Sequence, residues 1–524
     1  MGVITVQTLA DAIVGLGEVG LVGSRGLEAR APASVMPQLA ERLQALGAEV
    51  QLVAGIDSRA DTGNFTLAYV LAPAGGAPHA TVLVPVPASA PRFPSIATTS
   101  FAASRFEREI ADLLGLEPID HPDPRRLALH QFWPEGYHPL RTDVAPRGDV
   151  VDDGRPFPFQ RVEGDGVFEV TVGPVHAGII EPGHFRFSVE GETIVNLETR
   201  LGFVHKGTEK LFETLPFDRT WALAERVSGD STVAHALAYC QALEALAGVV
   251  VPARAAWLRV VLLELERLYN HVGDVAMIVN DTGFAFGHAH GFRLREELLR
   301  LNERATGHRL LRGAVVPGGV TGAIVEAPLN ELTHRVASIV REFLDIARLC
   351  FENTLVLERL QGTGRLTVDT ARAMQVVGLV GRASGLDADA RRDAPFAAYG
   401  DLDVRVAVRD TGDVWARTVV RIDEVAEAAR LIEMAARRAG SGASAVPLGR
   451  LRAGASAVSV VEGWRGPSWY YVLARDESSV ARVKLADPSF RNWPALERAV
   501  LKNIVPDFPL CNKSFNLSYS GNDA

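Results

Sequence analysis

Residues 173–210 read GPVHAGIIEPGHFRFSVEGETIVNLETRLGFVHKGTEK, and the rest of the chain is organised around this stretch. Alternating runs, Phe185, Phe187 and Val189, then Ile194, Asn196 and Glu198, flank Glu190-Gly191-Glu192 and predict a tight β-hairpin. An irregular Gly/Pro-punctuated segment carrying His176, Glu181 and His184 precedes it. A rigid sheet can aim such ionisable groups into a cavity, so the cluster marks a candidate site. The alternative is a capped hairpin with surface histidines.

The 524 residues are 47% hydrophobic and 22% charged, enough for several well-packed units. A formal net charge of -9 and the lack of any Lys/Arg cluster exclude a nucleic-acid binder. The most apolar region, Leu246 to Leu265, is interrupted by Arg254, Arg259 and Glu264, so no membrane span is expected. The amino terminus carries Asp11 and no basic leader, which predicts a cytoplasmic protein without a signal peptide. Three scattered cysteines, Cys240, Cys350 and Cys511, form no CxxC pair and write neither a zinc site nor a dithiol motif.

Residues 1–141 read as a small α+β domain. A helical pattern (Val6, Leu9, Ala10, Ile13) leads into Gly15-Leu16-Gly17-Glu18-Val19-Gly20, a formal GxGxxG. That motif needs a strand before it and a helix after it to cradle a pyrophosphate, and the order here is wrong. An amphipathic helix over Met36 to Leu46 and strands at Ala48 to Val53, Phe65 to Leu71 and Ala80 to Pro85 predict an antiparallel sheet. Residues 142–166, rich in Asp, Gly, Arg and Pro, read as a linker.

From 167 to 524 the pattern is a helical bundle with peripheral hairpins. Helices are predicted over Phe217 to Leu246, from Pro252 through Val272 and beyond, over Phe292 to Ala305, Pro328 to Leu357 and Val414 to Arg438. Leu402 to Val408, Trp469 to Leu473 and Val480 to Leu485 read as strands, and Gly440 to Ala445 as a flexible break. His271 falls on the buried side of its helix and reads as a core histidine. The His288, His290 pair lacks the third ligand that a metal site needs.

Several motifs carry a family resemblance. Gly173-Pro174-Val175-His176, Glu181-Pro182-Gly183-His184-Phe185-Arg186 and Gly202-Phe203-Val204-His205-Lys206-Gly207 resemble the start of the large subunit of membrane-bound NiFe hydrogenases of the formate hydrogenlyase type. The quinone-site large subunit of respiratory complex I is similar. Glu107 to Leu116, His121-Pro122-Asp123-Pro124-Arg125-Arg126 and Gly136-Tyr137-His138-Pro139-Leu140-Arg141 resemble the small accessory subunit of complex I, with His121 and His138 in extended docked tails. Gly381-Arg382-Ala383-Ser384-Gly385 resembles the loop bordering the family's active-site cavity, which puts Arg382 and Ser384 at its wall; a tight helix-loop crossing is the alternative.

The resemblance implies a fused accessory-plus-large subunit, yet the hydrogenase ligands are gone. A NiFe centre takes four thiolates. Ser228 and Ser231 stand at the first cysteine pair and Ser518 and Gly521 at the second, so hydrogenase activity is not expected. In complex I a histidine of the first hairpin pairs with a helix aspartate at the quinone head-group. His176 and Asp281 match them, and such a pair can tune a proton donor. The alternative is that Asp281 caps a turn before Gly283. Glu181 matches a proton-passing glutamate of the hydrogenases, whereas the tyrosine complex I uses is missing from Thr214-Leu215-Pro216-Phe217.

By resemblance, the chain sits at the cytoplasmic face of the cell membrane, held through partners. Those implied are a small iron–sulfur subunit bearing the cluster, a ferredoxin-like subunit and antiporter-like integral membrane subunits. The chain's own ligands imply no bound cofactor, and an acceptor such as quinone is the expected substrate. The other expectation is a structural or coupling subunit with no acceptor of its own.

Overall fold

The computed structural model describes residues 4–22, 25–145, 150–177 and 180–524. In the first unit α1 (Val6–Ile13) leads directly into β1 (Glu18–Val22), so a strand and not a helix follows the glycine motif. With β2 (Gly26–Arg30), α2 (Met36–Ala45), β3 (Glu49–Ile56), β4 (Asn64–Ala72) and β5 (His79–Pro87) it builds a five-stranded sheet in the order β1-β2-β5-β4-β3. The sheet is mixed, not antiparallel throughout, because β2 runs parallel to β5. Helix α3 (Phe101–Leu114) starts on a Ser100 cap, ends at Gly115 in the left-handed region (φ 70°) and packs on β3. Both tail histidines are tied down: the ring of His121 lies 3.0 Å from Ser104 O, and that of His138 lies 2.9 Å from Asp112 O.

The decisive hairpin forms as β6 (Val167–Val172), β7 (His184–Glu190) and β8 (Thr193–Arg200), an antiparallel sheet with β7 at its centre. A bulge between Ile194 and Asn196 shifts the alternation in β8, so Leu197 rather than Asn196 or Glu198 joins Ile194 in the core. Phe185, Phe187 and Val189 pack with Trp493, Phe508 and Tyr519 from the other end of the chain. Each fully buried phenylalanine contributes roughly 1.5–3 kcal/mol of apolar burial, which fixes the C-terminal segment onto the hairpin.

The bundle consists of α4 (Thr232–Ala247), α5 (Ala253–Asp281), α6 (Ala285–Thr306), α7 (Leu329–Glu352), the short α8 (Gly378–Ala383) and α9 (Val414–Arg438). The expected helix over 217–246 breaks at residues 225–231. Tertiary partners hold that turn: Glu225 accepts from Gly313 N at 2.6 Å, and the Asp230 carbonyl accepts from Asn270 and Trp464. The helix predicted over 328–357 also breaks, where Asn353 caps a new one. Residues 402–408 form no strand; among the described residues their backbone has no ladder partner, and Glu427 of α9 takes the Arg405 N–H at 2.9 Å.

The last sheet has three antiparallel strands, β9 (Ser456–Glu462), β10 (Pro467–Asp476) and β11 (Ser479–Ala486), of which the sequence pattern predicts only the last two. α10 (Pro488–Ala499), α11 (Phe508–Phe515) and α12 (Tyr519–Asn522) close the chain. Trp469 and Tyr471 of β10 enter the core of the first unit. Beside them, buried Lys484 of β11 bridges Glu109 of α3 and Glu209, and buried Arg482 reaches Glu209 and Gly55 O. The two units therefore share apolar core and buried charge pairs. Among the described residues no helix is long and apolar enough to cross a membrane.

Candidate functional site

The turn that interrupts the first bundle helix meets α12. Ser228 Oγ lies 2.7 Å from Ser518 Oγ and donates to Asp230 Oδ1 at 2.9 Å. An ionised carboxylate only accepts, so the single Ser228 proton goes to Asp230 and Ser518 must donate to Ser228. Ser518 Oγ in turn accepts from Gly521 N at 2.9 Å and caps α12. The result is an oriented hydroxyl chain, Ser518 to Ser228 to Asp230. Ser520 Oγ approaches it at 3.4 Å, and Glu181 accepts from Ser520 N at 3.0 Å, which brings Glu181 beside the chain.

Arg465, which the sequence reading does not single out, dominates the electrostatics. Its guanidinium makes two 2.7 Å bonds to the two Asp230 oxygens, donates to Ser231 Oγ at 3.2 Å and to Asn516 O, and stacks on Trp464. Burial alone would raise the Asp230 carboxyl; Arg465 and the Ser228 hydroxyl outweigh it and hold it below the usual carboxylate range. The available signal is Gly463-Trp464-Arg465-Gly466, a lone arginine between glycines ahead of a strand.

Behind Gly521 lies a second pair that the sequence does not disclose. Asp487, which caps α10, meets His235 Nε2 at 2.9 Å, and His235 Nδ1 meets the Tyr470 hydroxyl at 3.0 Å. Burial opposes the Asp487 charge, but His235 and Arg465 hold its carboxyl below the usual range. On the hairpin side Asp523 accepts from Gly202 N and Val204 N, and burial raises its carboxyl. Burial likewise lowers the Lys206 ammonium, which donates to Val227 O at 3.3 Å.

The remaining expected residues have other partners. His176 Nε2 lies 2.7 Å from Gly183 O and closes its own loop, while Asp281 takes Lys513 Nζ at 2.6 Å. Each thus has a partner other than the other, and Asp281 Oδ2 stays buried without one among the described residues. Arg382 is 1% exposed, and it donates to Glu424 at 2.8 Å and Glu462 at 2.7 Å, so it lies inside a buried charge network rather than at a cavity wall. Ser384 is wholly buried on the same turn. His271 joins this network through Glu424 at 2.8 Å, leaving Nδ1 without a partner among the described residues. Among the described residues no group of three His, Cys, Asp or Glu side chains could hold a metal.

The residues do not fit a NiFe centre. Hydroxyls replace three thiolates and a glycine the fourth, the two facing serines are in direct hydrogen-bond contact, and a guanidinium adds positive charge where a cation would bind.

A mixed-sheet domain docked by buried charges onto a hairpin-framed helical bundle, with two converging positions for a ligand pair each, defines a fused accessory-plus-large subunit of the complex I and NiFe hydrogenase class. Residues 29–150 match the family "Respiratory-chain NADH dehydrogenase, 30 Kd subunit", and residues 281–448 match "Respiratory-chain NADH dehydrogenase, 49 Kd subunit". Formate hydrogenlyase subunit 5 of Escherichia coli (strain K12) is 33% identical over 483 residues, 91% of this chain and 85% of that protein. The carbon monoxide-induced hydrogenase of Rhodospirillum rubrum is 31% identical over 351 residues, 67% of this chain and 97% of that one. A chain from the structure of the membrane-bound sulfane sulfur reductase, an archaeal respiratory membrane complex, superposes with a TM-score of 0.63 at 26% identity and covers 69% of this chain and 99% of its own length. The chain belongs to this family of complex I-like and hydrogenase-related oxidoreductase subunits.

Proposed function

We propose that the chain is a peripheral subunit of a membrane-associated oxidoreductase that passes electrons from a neighbouring iron–sulfur subunit to an acceptor such as quinone, without a NiFe centre. Its own groups would supply protons. The observation that carries this reading is the oriented chain Ser518–Ser228–Asp230 with Glu181 beside it, at the positions where the metal ligands are lost. Hydroxyls in hydrogen-bond contact can hand a proton along by exchanging donor and acceptor roles, with Glu181 or Asp230 as the terminal carboxylate. His176 and Asp281 would join by exchanging their present partners for the acceptor. The small iron–sulfur subunit, the ferredoxin-like subunit and antiporter-like membrane subunits are the partners this role requires.

A second reading, a coupling subunit with no acceptor of its own, is favoured by the direct contact of Ser228 with Ser518 and by the absent tyrosine. Purification of the tagged chain from detergent-solubilised membranes, followed by donor-to-acceptor flow in the recovered complex, separates them. Glu181→Gln and His176→Ala should cut electron flow at least tenfold with assembly intact. Full flow in both variants would leave the coupling role, and recovery of the chain alone would end both.

A further inference from the structure

A cleft of about 280 Å³ opens between α3, the segment at Phe157, β8 and the end of α10, away from the serine site. Five arginines and three carboxylates line it, an excess of two positive charges. Arg125 takes Asp123 and Glu198, and Arg108 shares Asp123, so these charges are already balanced. Glu497 is occupied by the Thr199 N–H and hydroxyl.

Among the described residues, three guanidinium groups of the cleft have no carboxylate in ion-pair contact. Arg200 is 4% exposed; it donates to Leu127 O and Leu129 O, and its Nε–H has no acceptor. Arg105 donates to Asn522 Oδ1 at 2.8 Å, and its Nε–H is likewise buried without an acceptor. Arg498 is exposed at the rim and makes no side-chain hydrogen bond or ion pair with the described residues. Burial pushes both Arg105 and Arg200 down to about 10, the mark of cations stripped of water without full compensation. Phe157 lies against the Arg125 and Arg200 guanidinium groups at 5.2 and 4.8 Å and holds their planes.

We propose that this cleft binds a phosphate group, free or as a small monoester, between Arg105, Arg200 and Arg498. A phosphate near neutral pH carries up to two negative charges and offers oxygens in several directions, which matches the excess charge of the lining and the two guanidinium Nε–H groups left without acceptors. The ligand bridges α3 of the first unit and β8 and α10 of the second, so it would tighten their seam.

Isothermal titration of the full chain with inorganic phosphate and with AMP, at constant ionic strength in chloride, tests this. Saturable binding is expected, weakened at least about tenfold in Arg200→Gln and in Arg498→Ala, since each loses a charge-assisted bond. The Arg498 variant changes an exposed side chain and keeps the test valid if Arg200→Gln fails to fold. Equal affinity for the two probes assigns free phosphate as occupant. Tighter AMP binding that falls in Phe157→Ala assigns an aromatic monoester. No saturable binding of either probe, or unchanged affinity in Arg498→Ala and every folded Arg200 variant, overturns the proposal.

Discussion

Replacing Arg382 by Met separates a structural arginine from one at the wall of an acceptor cavity. Arg382 gives Nε and Nη2 to Glu424 Oε1 at 3.1 and 2.8 Å, Nη1 to Glu462 Oε1 at 2.7 Å, and Nη1 to Ala388 O at 3.2 Å. Both carboxylates are 1% exposed, so the substitution leaves buried acceptors that water cannot reach. Breaking a buried pair from one side costs about 3–5 kcal/mol. Burial together with Asp389 already pushes Glu462 up to about 7, so it can shed its charge by taking a proton. Glu424 keeps Arg267 at 3.1 Å and His271 at 2.8 Å. Both features place the loss near the lower bound, about 3 kcal/mol, or a fall of about 4 °C in the unfolding midpoint of so large a bundle. Thermal unfolding followed by far-UV circular dichroism measures it, and the added change Glu462→Gln should recover part of the loss. A shift under about 1 °C with abolished electron flow would refute the burial reasoning and return Arg382 to the acceptor cavity.

Glu107 gives a pH signature. Burial pushes its carboxyl up to about 7 from 4.5, although Ser95 and the Ile96 N–H favour the charge. The unfolded chain therefore releases this proton first, and stability falls as pH rises from about 4.5 to 7, by up to about 3 kcal/mol. Glu107→Gln should flatten that slope in unfolding curves at pH 5 and 8, and an unchanged slope would assign it to other groups. Ser228→Ala should cost about 1 kcal/mol for its hydrogen bonds, and Ser518→Ala about 2 kcal/mol because it also removes the cap of α12. The double variant should cost less than their sum in denaturant unfolding, whereas strict additivity would deny the contact.

How much of this is legible in the sequence follows from where each residue finds its partner. Helix α9 can be read to the residue because local chemistry ends it: Asp413 caps its start and Arg437 and Arg438 occupy its last turn. The hairpin is legible because its alternation and turn are local, but the bulge at Ile194 has no local signature. The break at residues 225–231 is hidden, since the groups that hold it, Gly313, Asn270 and Trp464, lie 40 or more residues away in sequence. The facing of Ser228 and Ser518, 2.7 Å apart, follows from the resemblance and from no local pattern. The present partner of Asp281 is hidden for the same reason as the break: Lys513 lies 232 residues on, and no spacing rule anticipates it. Arg465 and Asp487 are buried charges whose meaning depends on what faces them.

The losses at the four ligand positions are matched by gains around them. A buried turn facing a buried terminal helix leaves polar groups that a metal would otherwise satisfy. Here the serines satisfy one another, Arg465 neutralises Asp230 and binds Ser231 and Asn516 O, and Asn516 Nδ2 reaches Asp274 at 2.6 Å. The terminal segment is thus fastened at this site by hydrogen bonds in place of a metal. Restoring cysteine at 228, 231, 518 and 521 together would not recreate a metal site. A Cβ on Gly521 would lie 2.6 Å from Asp487 Cγ, and Asp487 cannot yield because His235 and Ser489 N hold both its oxygens. The Arg465 guanidinium would also face the incoming cation at the thiol that replaces Ser231. The fourfold variant is expected to take up no stoichiometric nickel when expressed with hydrogenase maturation factors and assayed by elemental analysis. One nickel per chain would show that Asp487 and Arg465 can move, and that the hydroxyl network is a substitute for the metal rather than a barrier to it.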